Sequence, residues 1–195
     1  TGDEVFHCEG SDLVLEDGRH LEGRCKTVDR QTRVKHSRPC GRIEGMQDAI
    51  ERSCNNYHVW VMSRLIHKLG PEKLAARFRS LGLPMDGSAL ARNPEDWINA
   101  AFGEGPAEGT PFELAQAVSR IYRSTDPAGV KNAVPSLRFA ARGWTMNPNP
   151  WRTSEKDAAS AGHVLNGMAL VLRGSRGTAR ALGTLLDPSL VAYAK

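Results

Sequence analysis

Ser53, Cys54 and Asn55 set a hydroxyl, a thiol and a carboxamide at consecutive positions. A hydroxyl can relay a proton between a base and a leaving group, and a carboxamide both donates and accepts, so it can hold a substrate amide. On a straight helix two positions so spaced point about 200° apart. The pair can share a site only if Ser53 lies in a turn, and a helix beginning at about Asn55 is expected. Without other support, a Ser–Asn pair simply caps a helix. Lys195 closes the apolar run Val191 to Ala194, which reads as the start of a strand, and offers a cation for a carboxylate. No serine in the sequence has lysine three positions on, so a Ser/Lys nucleophile pair is absent from it.

The four cysteines, at 8, 25, 40 and 54, all fall in the first third. Outside the cytoplasm an even count invites disulfides, with Cys8–Cys25 the expected pair and other connectivities open. The alternative is a tetrahedral zinc site built from Cys8, Cys25, His36 and Cys40, since zinc favours thiolate and imidazole. The spacing lacks paired C-x-x-C knuckles. Cys54 reads as a small buried hydrophobe within its helix.

These residues need a frame, and 195 residues suit one domain with a substantial core. Hydrophobic residues are 40% and charged residues 25%, an ordinary globular balance, and no apolar run approaches the length of a membrane span. The net charge of +4 is local: Arg24, Lys26, Arg30, Arg33, Lys35, Arg38 and Arg42 face one acid, Asp29, across that stretch. With no aromatic residues interleaved for base stacking, it reads as a solvated loop, and no nucleic-acid partner is expected. Residues 1–42 predict irregular backbone with one hairpin turning at Asp17-Gly18.

Helices dominate beyond. Met46, Ala49, Ile50, Cys54, Tyr57, Val61 and Leu65 follow helical spacing as far as about Lys68, with a break required near 53. Gly70-Pro71 ends that helix and starts another to about Leu81. Further helices are predicted over 94–101, from the Thr110-Pro111-Phe112-Glu113 start, over 154–172 and over 178–186. Residues 124–152 read as a long connection.

The order of these pieces resembles the transpeptidase domain of the penicillin-binding proteins. Carrying the resemblance are Phe6 to Gly10; Gly41-Arg42-Ile43 with Gln47 through Tyr57, the run into S-x-N; Leu69 to Leu74 with Ser80 to Leu83; Gly103-Glu104-Gly105 with Thr110 to Ala115; and Val164 to Met168 with Gly177-Thr178-Ala179, the approach to K-T-G. Departures are Cys40 before Gly41, where many relatives carry histidine, His58 after Tyr57, and Ser124 to Pro127 in place of a glycine-rich helix end. The resemblance implies a mainly α chain, the helical subdomain lying between S-x-x-K and K-T-G, with a loop-rich cysteine segment over 1–42 and the helices over 43–195. It implies a peptidoglycan D,D-transpeptidase acting through a serine acyl-enzyme, with Ser53, Asn55 and Lys195 in the site and Asn55 and Lys195 on substrate. It further implies stem-peptide substrates, β-lactam binding, contact with cell-wall synthesis proteins, no organic cofactor, and an extracytoplasmic place on an anchored parent. This chain alone, without S-x-x-K, is expected to be inactive. A non-catalytic scaffold or sensor module is the alternative, and a related D,D-carboxypeptidase or β-lactamase a third.

Overall fold

Strands of only three residues organise the first part of the chain. In order they are β1 (Phe6–Cys8), β2 (Asp12–Val14), β3 (His20–Glu22), β4 (Lys26–Val28), β5 (Lys35–Ser37) and β6 (Gly41–Ile43). The computed structural model describes residues 5–28, 35–83, 85–92, 94–101, 109–111, 117, 136–140, 143–147 and 155–185. β2 and β3 form the predicted hairpin, pairing Asp12 with Glu22 around Gly18 at φ 79°. β4 pairs antiparallel with β5, Lys26 opposite Ser37. β1 pairs with β6, and Cys8 lies opposite Gly41. Such short strands carry too little alternation to be read locally. The β1–β6 pairing is long-range and has no local signature at all.

The helices are α1 (Met46–Glu51), α2 (Asn55–Leu69), α3 (Pro71–Ser80), α4 (Gly87–Arg92), α5 (Pro94–Ala100), α6 (Glu155–Arg173) and α7 (Arg180–Gly183), with a hairpin of β7 (Ser136–Ala140) and β8 (Gly143–Asn147) before α6. α2 stops at Gly70, whose φ of 77° suits glycine, and Pro71 begins α3. The six residues of α4 and the β7–β8 hairpin form in stretches where sequence periodicity predicts no regular element. The Gly103–Gly105 segment, most of the predicted Thr110 helix, the predicted strand at 191–195 and Lys195 lie outside the described residues.

One buried cluster joins the strands to the helices. Phe6 of β1 meets Tyr57 and Trp60 of α2 at ring-centroid distances of 5.9 and 5.3 Å, and Arg64 covers Trp60. These aromatic contacts anchor β1, and with it Cys8, to α2. Ile43, Val59, Leu74, Leu90 and Ile98 complete the interior. α1 packs on α6 through Gly167, where an added Cβ would sit 2.9 Å from the Ile50 Cβ.

Candidate functional site

The S-x-N segment is the turn between α1 and α2. The Cys54 N–H donates to the Ala49 carbonyl at 2.8 Å and the Ser53 N–H to the Ile50 carbonyl at 3.0 Å. That pair of bonds is the Schellman ending of α1, with Ser53 at the position that must turn left-handed. Its φ is 52°, and Ser53 is the one non-glycine residue with positive φ among those described. An L-residue there costs about 1–2 kcal/mol. Strain held at one hydroxyl-bearing residue is a pointer to function. Asn55 is the first residue of α2, so Ser53 and Asn55 do not share a helix.

The turn resets the helical phase of α2. A continuous helix would turn Val61 and Leu65 inward. Instead α2 buries Asn56, Tyr57, Val59, Met62 and Ser63, and Val61 and Leu65 are half-buried. Cys54, the residue before α2, makes no side-chain cap bond. The cap comes from elsewhere in the chain: the Cys25 Sγ accepts the Asn56 N–H at 3.3 Å. Asn56, fully buried, answers by accepting the Arg24 and Cys25 N–H groups at its Oδ1. The Asn55 amide donates to the Arg24 carbonyl at 3.4 Å. The Arg24–Cys25 segment therefore holds both asparagines at the start of α2.

Cys25 belongs to a cluster. The sulfurs of Cys8, Cys25, Cys40 and Cys54 all lie within 4.8 Å of one another, with three of the residues buried and Cys40 half-buried. Cys25 is 3.7 Å from Cys54 and 3.5 Å from Cys40. A tetrahedron of sulfurs at the usual Zn–S length of about 2.3 Å has edges of about 3.8 Å. The donor set, its spacing and its burial therefore fit a four-thiolate zinc site, and the Asn56 N–H on Cys25 is the outer hydrogen bond such a ligand takes. The crowded thiols share protons unequally. A hydrogen bond from Cys25 holds Cys8 far below the usual thiol range, and one from Cys40 lowers Cys25. Hydrogen bonding to Cys25 pushes Cys40 and Cys54 far up, with burial adding to both.

Two expectations are corrected here. Cys8 and Cys25 are free thiols, as are all four, so the Cys8–Cys25 disulfide is not formed. Cys54, read as a buried hydrophobe inside its helix, joins the cluster and stands before α2, while the side chain of His36 lies outside the described residues. Sequence spacing missed it because Cys54 reaches the cluster through the turn after α1, while the β1–β6 pairing delivers Cys8 and Cys40.

Behind the turn lies a charge network. Arg52 donates to the Cys40 carbonyl at 2.6 Å and to Asp48 at 2.9 Å. Arg176 reaches Asp48 at 2.9 Å, and its backbone N–H donates to Glu51. Burial, then the neighbouring Asp48, raises the Glu51 carboxyl above its ordinary range. A cavity of about 650 Å³ opens here between α1 and α6, lined by Asp48, Glu51, His163 and Arg176 among others, and neither Ser53 nor Asn55 lines it. The structure brings Ser53 and Asn55 together at one turn. Lys195 lies outside the described residues.

The model of the penicillin-binding protein transpeptidase domain matches residues 17–195. The chain belongs to that family. Its fold is similar to PBP2 of Pseudomonas aeruginosa, solved in complex with WCK 5153, at TM-score 0.59 and 20% identity, covering 95% of this chain and 43% of that one. PBP2 of Helicobacter pylori is similar at TM-score 0.56 and 15% identity, covering 93% of this chain and 33% of that one. One stretch is 34% identical to the tRNA 5-methylaminomethyl-2-thiouridine biosynthesis bifunctional protein MnmC of Paraburkholderia xenovorans (strain LB400), over 51% of this chain and 18% of that protein. The chain thus spans less than half the length of each. Mainly helical, it corresponds to a helical part of the transpeptidase fold. Among the described residues no helix is long and apolar enough to cross a membrane.

Proposed function

We propose that this chain supplies the S-x-N portion of the active site of a peptidoglycan D,D-transpeptidase. The observation that carries the reading is the left-handed Ser53 at the end of α1, immediately before Asn55 opens α2. In this reading a serine outside the chain is acylated by a stem peptide, and a neighbouring stem amine resolves the acyl-enzyme. Ser53 relays the proton to the leaving amine, Asn55 holds the substrate amide, and Lys195 binds the substrate carboxylate. β-Lactams take the place of the donor, and the work is extracytoplasmic, on an anchored polypeptide acting with other cell-wall synthesis proteins. The test is intact mass after penicillin treatment of the polypeptide that carries this chain. A single β-lactam-sized gain is expected, with the acylation rate falling about 10²- to 10⁴-fold in Ser53→Ala. No gain on the folded protein rejects the reading in favour of a non-catalytic scaffold.

The same reading includes zinc, held by Cys8, Cys25, Cys40 and Cys54. The metal supplies a cross-link rather than chemistry, since four thiolates leave no open position. Its residues join β1, the Arg24–Cys25 segment and the S-x-N turn. One zinc per chain is expected by elemental analysis, together with intense thiolate-to-cobalt absorption on cobalt substitution. Zinc content unchanged in a Cys25→Ser, Cys40→Ser double variant would reject this site.

A further inference from the structure

The geometry points to Cys25 and Cys40 as a redox-active pair, whose disulfide forms in place of bound metal and releases the start of α2. That the two states exclude each other rests on the metal reading above; the choice of pair does not. Of the sulfur contacts that Cys25 makes with Cys40 and Cys54, the one with Cys40 is the shorter, 3.5 Å, and a disulfide needs about 2.05 Å. Cys25–Cys54, at 3.7 Å, is the competitor. Three features favour Cys40. It is half-buried whereas Cys54 is wholly buried, so an oxidant reaches the pair from its side. It lies in the loop between β5 and β6, next to Gly41 at φ 69°. Cys54 is fixed instead by its N–H bond to Ala49.

The chemistry balances with hydrogen peroxide as the oxidant. One sulfur of the pair, as its thiolate, attacks one peroxide oxygen, the O–O bond breaks, and with the thiol's released proton a sulfenic acid and water result. The other sulfur then attacks the sulfenic sulfur, the S–S bond forms, the S–O bond breaks, and a second water leaves. Two thiol hydrogens and two electrons pass to the peroxide.

The consequence runs through the cap. The Cys25 sulfur accepts the Asn56 N–H at 3.3 Å, and the preceding Arg24 carbonyl accepts the Asn55 amide. Drawing Cys25 towards Cys40 weakens the one and displaces the other. The first turn of α2 then loses a partner that its own preceding residue does not provide. Oxidation is thereby felt at Asn55, beside Ser53. Arg52, bonded to the Cys40 carbonyl, carries the same displacement to the end of α1.

The experiment begins with zinc content on the polypeptide that carries this chain, before any oxidant is added. Metal-stripped, reduced protein then receives one equivalent of hydrogen peroxide, followed by non-reducing peptide mapping and amide hydrogen exchange. The expected product is a Cys25–Cys40 link, with exchange over residues 55–59 faster by about tenfold or more. Zinc-loaded protein should oxidise more slowly by a similar factor. A dominant link between any other pair, or unchanged exchange in the linked protein, overturns the inference. So does bound zinc that fails to slow oxidation. If no zinc is bound yet the Cys25–Cys40 link forms and exchange rises, the metal reading falls and the redox pair stands.

Discussion

Replacing Ser53 with glycine separates the conformation of the S-x-N turn from its chemistry. At φ 52° Ser53 sits where an L-residue costs about 1–2 kcal/mol, a cost that glycine does not bear. Glycine also adds freedom to the unfolded chain, returning about 0.4–1 kcal/mol to that state. The net expectation for Ser53→Gly is stabilisation of about 0.5–1 kcal/mol. In a chain of this size that raises the melting temperature by about 1–4 °C. Ser53→Ala keeps the strain and loses the hydroxyl, so it should not gain stability. Ser53→Val, β-branched and still left-handed, should lose more than about 1 kcal/mol. Thermal and urea unfolding of the three variants give the order Gly above wild type above Val. Acylation by penicillin should fall in both Gly and Ala variants, because both lack the hydroxyl. A Ser53→Gly variant as destabilised as Ser53→Ala would refute the argument, since the hydroxyl and not the backbone would then set the stability of the turn.

Two predictions test the packing behind the turn. Gly167→Ala drives a Cβ to 2.9 Å from Ile50 and 3.0 Å from the Gln47 carbonyl, and should cost about 1–3 kcal/mol in urea unfolding. On the same helix Gly162→Ala meets nothing within 4 Å and should gain about 0.5–1 kcal/mol; equal effects at both sites would sink the close-approach explanation. For Glu51, the folded carboxyl is raised above its usual 4.5, so the folded state binds the proton more tightly than the unfolded state. Its contribution is therefore most favourable below that value and is lost as pH rises towards the raised one. Glu51→Gln removes this dependence while still accepting the Arg176 N–H. The stability of the variant relative to wild type should climb as pH rises through that window, and a pH-independent difference would contradict it.

Local chemistry made several elements legible from the chain alone. Gly70-Pro71 marks the α2–α3 junction because glycine can turn left-handed and proline fits a first helical position. The demand that Ser53 and Asn55 share a site required a break near 53, and α1 ends at Glu51 with α2 starting at Asn55. Motif order along the chain carried the family. Other features needed long-range contacts. β1 and β6 pair across the whole cysteine-bearing segment, and nothing local to either strand announces it. That pairing, with the turn after α1, brings Cys54 into the cluster and leaves Cys8 and Cys25 unbonded. Spacing in sequence measures chain between residues. Ligand geometry depends on distance in space, which was fixed here only when aromatic packing of Phe6 on Tyr57 and Trp60 set β1 against α2. Residue order and local propensity thus dictate the main helices, the break at the S-x-N turn and the family. Long-range packing sets the external cap on α2 and the meeting of the four thiols, because both depend on segments far apart in the chain.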